Sequence, residues 1–531
     1  MLVHKEKKAL IFKLREPKKI TTIIPTAKLV RHNGDVLVAV PHRPDEVRVL
    51  RQLGFDAPDP MRLYYHWPGR YTPMKEQMES SSFASMNSRC FVLNSMGTGK
   101  TITVLWSYDY LRSVKLVRRA LIVCPLSVME RTWADHVFQS FPHLDVKVVY
   151  GTADRRRALL KDKADLYIIN VDGLPAIRDE LATRPDIDLI IADESALYRN
   201  GTTRRWKTLN IICNRQVPRR VWALTGAPTP NLPTDAWAQG RVINPGNPDL
   251  PKYFNKFRDM TMRQISQFKW LPRPEAVDVV QQALQPAIRY TLDDMVDLPE
   301  QMFTTRDVEM TPEQKKAYKD MLAKLAAEYA GGQIMAVNEA VKINKLVQIA
   351  CGVAYDSEHE EVVFPAKPRM NVVLEAIEES EGKIIIFVPF TSVLAHMSTL
   401  LTAECYNHAL VHGEVSKNER DKIYTRFQDH HDPLKIIVAT PGTMSHGLTL
   451  TEATTIIWFA PIHSNETYRQ ACARVRRPGQ TRTTVVVHVA ACDTERRMYA
   501  RLEKKESVQG VLLDILKELS SGKSKLTTEI T

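Results

Sequence analysis

Gly97-Thr98-Gly99-Lys100-Thr101 follows a short apolar run, Cys90 to Leu93, and precedes a periodic segment from Ile102 to Leu111. The run reads as a buried strand and the periodic segment as a helix. Glycines between a strand end and a helix start let backbone N–H groups close on an anion, which the positive end of the helix dipole also attracts. In such a loop Lys100 reaches the β- and γ-phosphates of a bound triphosphate and the Thr101 hydroxyl ligates Mg²⁺. The strict pattern asks for glycine at position 94, where the chain has Asn94. On these residues alone an ordinary glycine-rich turn stays open as the alternative.

Asp193-Glu194 supplies what a magnesium–nucleotide site needs on its far side. One carboxylate can hold the metal while its neighbour takes a proton from the attacking water. Acidic pairs are common on surfaces, but this one ends an apolar strand 93 residues beyond Lys100. Much later, Gln470, Arg474 and Arg477 are spaced i, i+4, i+7, which predicts one helix face bearing two guanidinium groups. Guanidinium groups neutralise charge developing on a γ-phosphate, so Arg474 and Arg477 are candidate arginine fingers. A solvated basic face is the plainer alternative in a segment reading RVRR. The adjoining Gly479-Gln480, and a second half that has no phosphate loop of its own, favour the catalytic reading.

The elements that must position these groups follow an α/β rhythm. Strands are expected at Ala120 to Cys124, Asp165 to Asn170, Asp188 to Ala192 and Val221 to Leu224, the first leading through Pro125-Leu126-Ser127 into a helix with Trp133. Short apolar strands alternating with helices make a parallel sheet, which gathers ligands at its strand carboxyl ends. Residues 246–365 lose the rhythm and read as a helical insert and bridge. Its clearest helix opens at Thr311-Pro312 with Gln314 closing a capping box and stops at Gly331-Gly332. The rhythm returns with strands at Lys383 to Val388, His408 to Val411, Lys435 to Ala439, Thr455 to Trp458 and Thr484 to Val489, then one helical segment from Glu495 to Leu519. The expected division is 1–70, a small N-terminal accessory domain; 71–245, a first α/β lobe; 246–365; 366–505, a second α/β lobe; and 506–531, a C-terminal helix and frayed tail.

With 531 residues the chain exceeds one core, and its 44% hydrophobic and 25% charged residues are ordinary for a globular protein. A net charge of +12 favours a polyanionic partner. Lys5, Lys7, Lys8, Lys13, Arg15, Lys18 and Lys19 concentrate part of it at the start, either as a solvated face or as a nucleic-acid contact. Seven dispersed cysteines without a CxxC pair read as reduced thiols. No signal-peptide pattern or membrane-length apolar run is visible, so the expectation is a cytoplasmic protein with no membrane partner.

These blocks together resemble the Swi/Snf-type ATPases of helicase superfamily two, from about Tyr71 to Lys505. TPMKEQ resembles the adenine-reading Q motif, MGTGKT motif I, LIVCPLSVMERTW motif Ia, IIADESALYRN motif II and LTGAPTPN motif III. LPEQMFTTRDVEMTPEQKKAY resembles the bridge between lobes; HGEVSKNER, HGLTLTEATTIIWF and QACARVRRPGQ resemble second-lobe motifs. The GLTL wording and the small N-terminal unit lean toward the annealing-helicase (HARP-type) branch and compact bacterial or phage relatives, acting inside a bacterial or infected host cell.

The resemblance implies two RecA-like lobes, parallel sheets flanked by helices, that hold ATP and Mg²⁺. It places Gln77, Gly97, Thr98, Gly99, Lys100, Thr101 and Gly447 in the nucleotide site, Thr101 and Asp193 on the metal, and Glu194 on the attacking water. It places Ser127, Asn170, Arg204, Arg205 and Gly413 on a nucleic-acid track, whereas Arg155 to Arg157 read as surface charge. The implied activity is a DNA-dependent ATPase, a monomeric motor that translocates on double-stranded or branched DNA and remodels it or its protein complexes. A strand-separating DNA or RNA helicase and a non-hydrolysing nucleic-acid-binding scaffold are the alternatives. Four positions depart from the family pattern: Asn94-Ser95 replace an acidic pair, Ala196 stands where His is frequent, and Thr449 where Asn is.

Overall fold

The computed structural model describes residues 1–504, 508 and 511–520, except 216, 267–268, 331–338, 356–360 and 445–448. The chain forms two compact units, one of Met1–Arg263 with Pro272–Met295 and the other of Gln264–Leu271 with Val296–Thr531.

The first unit opens with a four-stranded antiparallel sheet of β1 (Leu2–His4), β2 (Ala9–Phe12), β3 (Lys28–His32) and β4 (Asp35–Pro41), ordered β1-β2-β4-β3. Helices Pro17–Ile23 and Pro44–Gln52 cover it, enclosing Leu10, Phe12, Val38, Val40, Val47 and Leu50. Met86, from the helix Lys75–Met86 of the following lobe, completes that small core. Arg220 also reaches back to both carboxylate oxygens of Asp45, at 2.9 and 3.0 Å. The stretch just before residue 70 belongs to the lobe's packing: Met61 is buried in its core, Tyr65 donates to Asp109 at 2.7 Å, and Trp106 Nε1 donates to the Pro68 carbonyl at 2.9 Å.

The lobe itself is a parallel sheet of β5 (Arg89–Val92), β6 (Arg119–Cys124), β7 (Val146–Val149), β8 (Leu166–Asn170), β9 (Ile187–Asp193), β10 (Arg220–Leu224) and the short strand Ala287–Ile288. Their order across the sheet is Ala287–Ile288, β5, β10, β9, β6, β8, β7. The central strands are continuously apolar because both faces are covered. Leu121, Val123, Ile169 and Ile190 pack on one face, and Ile122, Ile168, Leu189 and Ile191 on the other, as the two-residue alternation of a strand requires. The second unit repeats the plan with six parallel strands, ordered Gln301–Asp307, Thr484–Ala490, Ala453–Trp458, Lys383–Phe387, Ile436–Ala439, His408–Val411. The α/β expectation holds in both lobes.

The expectation of a helical stretch over 246–365 needs correction, because six strands fall inside it among the described residues, four of them as two small paired sheets, Met262–Ser266 with Lys269–Pro272 and Val353–Tyr355 with Glu361–Val363. Ala287–Ile288 and Gln301–Asp307 are strands, each added to the edge of a sheet. The first is held by main-chain bonds from Phe91 N to Pro286 O and from Leu93 N to Ile288 O, at 2.9 and 2.8 Å. An edge strand has a partner on one side only, so it lacks the continuous apolar signature of a central strand. The capping box forms as read: Thr311 N donates to Gln314 Oε1 at 3.0 Å and Gln314 N to Thr311 Oγ1 at 3.3 Å, opening the helix Pro312–Ala330. Its expected stop at Gly331-Gly332 lies outside the described residues.

The expected single segment Glu495 to Leu519 is two helices, Asp493–Glu503 and Val511–Ser520. Arg497 pairs with Glu518 at 2.7 Å and Arg501 with Asp514 at 2.6 Å. On one straight helix those partners would stand roughly 20–30 Å apart at 1.5 Å per residue, so the pairs require the chain to fold back.

Candidate active site

At the carboxyl end of β5 the backbone turns through Gly97 (φ +82°) and Gly99 (φ +76°), the latter serving as N-cap of the helix Lys100–Ser113. Gly99 answers two demands, because a Cβ there would also fall 2.6 Å from Gln77 Nε2. The Gln77 amide is buried and committed at both ends: Nε2 donates to the Thr98 carbonyl at 3.0 Å and Oε1 accepts from Met74 N at 3.1 Å. Lys100 Nζ lies across the loop, donating to the carbonyls of Asn94 at 2.9 Å and Ser95 at 3.0 Å. Asn94 itself is fully buried. Its amide donates to Ser80 Oγ at 2.9 Å and accepts from Tyr290 N at 3.0 Å, and Ser95 N donates to Tyr290 O at 2.8 Å. The departure from glycine at 94 is therefore a clamp between the loop, the helix Lys75–Met86 and the segment after Ala287–Ile288.

Asp193 ends β9, and the register aligns Val92, Leu224 and Asp193 in one row across β5, β10 and β9. Two strand spacings separate the outer members, roughly 10 Å of backbone, which leaves room for phosphates and a small cation between the loop and the carboxylate. Asp193 Oδ2 accepts from Trp133 Nε1 at 2.9 Å and Oδ1 from Glu194 N at 3.0 Å. Burial raises the Asp193 carboxyl above its ordinary value, while the Trp133 hydrogen bond and the Lys100 charge oppose the rise.

Glu194 adopts φ +50°, ψ +57°, a left-handed conformation uncommon for a residue with a side chain. Strain of this kind persists where surrounding structure fixes it and clusters at functional sites. The fixing is visible next door: buried Ser195 Oγ donates to Gln239 Oε1 at 2.9 Å, and Gln239 Nε2 donates to the carbonyls of Pro228 at 2.5 Å and Asp235 at 3.0 Å. Ala196, also buried, offers no hydrogen bond from its side chain, and Ser195–Gln239 links the acidic segment to the TGAPTPN turn in its stead. One carboxylate and one hydroxyl, with the remaining positions left to phosphate oxygens and water, is a donor set that suits Mg²⁺. Asp193 and Thr101 would hold it.

In the second unit the arginine geometry differs from the sequence expectation. The helix is Asn465–Cys472, so Gln470 lies on it while Arg474 and Arg477 lie in the turns beyond, and the three do not share one helix face. The Arg474 carbonyl is taken by Leu450 N at 2.9 Å and Val475 is driven into the core, while Pro478 disfavours helix at Arg477. Arg474 is nearly buried. Arg477 Nη1 donates to Thr449 Oγ1 at 2.9 Å and Nε to the Ala473 carbonyl at 3.0 Å, so Thr449 has a visible partner. Desolvation lowers the Arg477 guanidinium to about 10, which leaves it charged at neutral pH. Gly447 lies outside the described residues.

The track candidates divide. Ser127 is exposed on the turn Leu126–Val128, and Asn170 pairs in register with Cys124, so both leave the ends of adjacent strands. Asn170 is buried, however, with its Oδ1 beside Gly173. Arg204 and Arg205 are exposed in the first turn of the helix Arg204–Asn214, where the helix dipole disfavours cations. They line a groove of about 580 Å³ with Asp172, Arg199, Asn200 and Thr203, and Arg205 pairs with Asp172 at 2.6 Å. Gly413 lies in the second unit, its carbonyl accepting from Arg420 at 3.3 Å. Arg156 is not surface charge: it is buried, donating to Gly151 O and Val149 O at 2.8 Å each. Gln239 has no mention in the motif reading, while Trp133 is read only as part of a helix and Thr449 only as a departure from the family pattern, since their contacts join distant segments.

Among the described residues no helix is long and apolar enough to cross a membrane. The SNF2-related domain matches residues 48–353 and the helicase conserved C-terminal domain residues 368–479. Protein p41 of Acyrthosiphon pisum secondary endosymbiont phage 1 is 26% identical over 450 residues, covering 80% of this chain and 94% of its own length. The ATP-dependent helicase MG018 of Mycoplasma genitalium is 24% identical over 436 residues, covering 79% of this chain, which spans only 40% of that protein. The Sulfolobus solfataricus SWI2/SNF2 ATPase core solved in complex with dsDNA is 23% identical, covering 87% of this chain and 96% of that one, with a TM-score of 0.39. With the SNF2-related domain matching more than half of its residues and a helicase C-terminal domain behind it, this chain belongs to the SNF2-related ATPases.

Proposed function

We propose that this ATPase is a motor that couples ATP hydrolysis to movement along double-stranded DNA. The observation that carries the chemistry is the strand-end pair Asp193-Glu194, level with the end of β5 and held there by named contacts. Backbone N–H groups of the loop at Gly97, Thr98 and Gly99, with the Lys100 ammonium, bind the phosphates; Thr101 and Asp193 hold Mg²⁺. The metal, when bound with the nucleotide, neutralises charge on the phosphate oxygens. Lys100 exchanges its two loop carbonyls for phosphate oxygens. Glu194 orients the attacking water and accepts its proton, and Arg474 and Arg477 stabilise charge on the transferring phosphoryl group.

DNA is gripped mainly through its phosphates, by Arg204 and its neighbours in the first unit and around Gly413 in the second. A +12 chain with two exposed arginines at a helix start, where the dipole opposes them, is built for polyanion contact. The test is steady-state ATPase activity without nucleic acid and with single-stranded DNA, duplex DNA, forked DNA and RNA. Stimulation by duplex DNA exceeding that by single strands or RNA is expected. Stimulation by single strands alone favours a strand-separating helicase, and no hydrolysis under any condition removes the motor.

A further inference from the structure

Trp133 is fully buried in a short π-helical turn, Met129–Ala134, six residues beyond the exposed Ser127. Wider helical turns of this kind occur often at functional sites. Its indole Nε1 donates at 2.9 Å to Asp193 Oδ2, across sixty residues of sequence. By comparison, the indole N–H groups of Trp106, Trp206, Trp222 and Trp237 donate to main-chain carbonyls, those of Pro68, Ala238, Asn87 and Pro251. Trp133 alone among these five donates to a carboxylate, the one assigned to the metal.

The geometry at that carboxylate is specific. The Glu194 N–H holds Oδ1 and the indole holds Oδ2, so the plane of the group is set from both sides. Each oxygen keeps a further lone pair for a cation. A neutral donor orients the carboxylate without cancelling its charge, which a lysine or arginine in the same place would do. A partner behind a metal ligand that fixes the ligand's orientation commonly contributes 10–100-fold to metal affinity.

We propose that Trp133 is a positioning residue that presents the Asp193 carboxylate to Mg²⁺ on the nucleotide, an assignment that rests on the proposed ATP site. It predicts a defect confined to the magnesium-dependent part of nucleotide binding. Two replacements remove the N–H in the full chain: Trp133→Phe, and benzothienylalanine at the same position, which keeps the bicyclic shape should the smaller ring disturb packing. Trp106→Phe is the control, because it also removes a buried indole N–H in the same unit.

Binding of a fluorescent ATP analogue is measured in EDTA and across a magnesium titration. Both replacements at 133 are expected to bind in EDTA within about twofold of the unsubstituted chain, while the half-saturating Mg²⁺ concentration rises about tenfold or more. Trp106→Phe is expected to leave that concentration unchanged. An unchanged magnesium requirement with benzothienylalanine, or an equal loss with and without magnesium, overturns the assignment. An unsubstituted chain that binds the analogue without any magnesium dependence overturns this assignment and the metal site with it, so the two failures are told apart.

Discussion

Ser195 and Gln239 meet inside the first lobe, hydroxyl to side-chain carbonyl at 2.9 Å, and both are shielded from solvent. Because Gln239 also donates to the Pro228 carbonyl, the acidic segment and the TGAPTPN turn share one amide. Removing one partner leaves the other buried and unsatisfied, at a cost of about 1–3 kcal/mol, whereas removing both with matched shape costs much less. Gln239→Leu should therefore lower thermal stability, and Ser195→Ala with Gln239→Leu should recover part of it. Additive losses in the double variant, read by thermal unfolding, would show that the two side chains do not act as a pair.

Glu194→Gln should retain ATP binding and lose nearly all turnover, since it removes the proposed base and leaves Lys100 and Asp193 in place. Near-normal ATPase rates in that variant would take Glu194 out of the mechanism.

Arg474→Ala and Arg477→Ala should each lower turnover by roughly 10³-fold, the scale of a lost arginine finger, with a much smaller effect on ATP affinity. Thr449→Val replaces the hydroxyl that Arg477 contacts with a methyl of similar size and should give a milder loss of the same kind. An equal fall in affinity and turnover would reassign the arginines to ground-state binding.

The N-terminal sheet carries an exposed basic edge, with Lys28, Arg31 and His32 open to solvent on β3. Deleting residues 1–56 should leave a folded ATPase with weaker DNA binding, destabilised modestly by the uncovered Met86 and by loss of the Asp45–Arg220 pair. Deleting 1–70 should destabilise more. That cut also removes Met61 from the lobe core, and burying such a side chain is worth about 1.5–3 kcal/mol. Identical melting temperatures for the two truncations would contradict this boundary.

How much of this was legible in the sequence depends on what each feature answers to. Residues whose type would suit the proposed chemistry stood out in the motifs: Lys100-Thr101, Asp193-Glu194 and the two arginines. Central strands such as Arg119–Cys124, apolar from Ala120 onward, were plain too. The edge strands Ala287–Ile288 and Gln301–Asp307 were not, since main-chain bonding to a single neighbour needs no apolar run. The regular spacing of Gln470, Arg474 and Arg477 misled because helix periodicity does not reveal where a helix stops, and this one ends at Cys472, before either arginine. Trp133 read only as a member of a helix. Its contact with Asp193 exists because β6 and β9 are neighbours, which no local pattern encodes.

The central claim is movement along duplex DNA, and a triplex-displacement assay run beside a forked-duplex unwinding assay tests it most directly. With ATP the chain should displace the third strand from a triplex while leaving the fork paired, and Glu194→Gln should do neither. Efficient fork unwinding without third-strand displacement would contradict duplex translocation and establish a strand-separating helicase in its place.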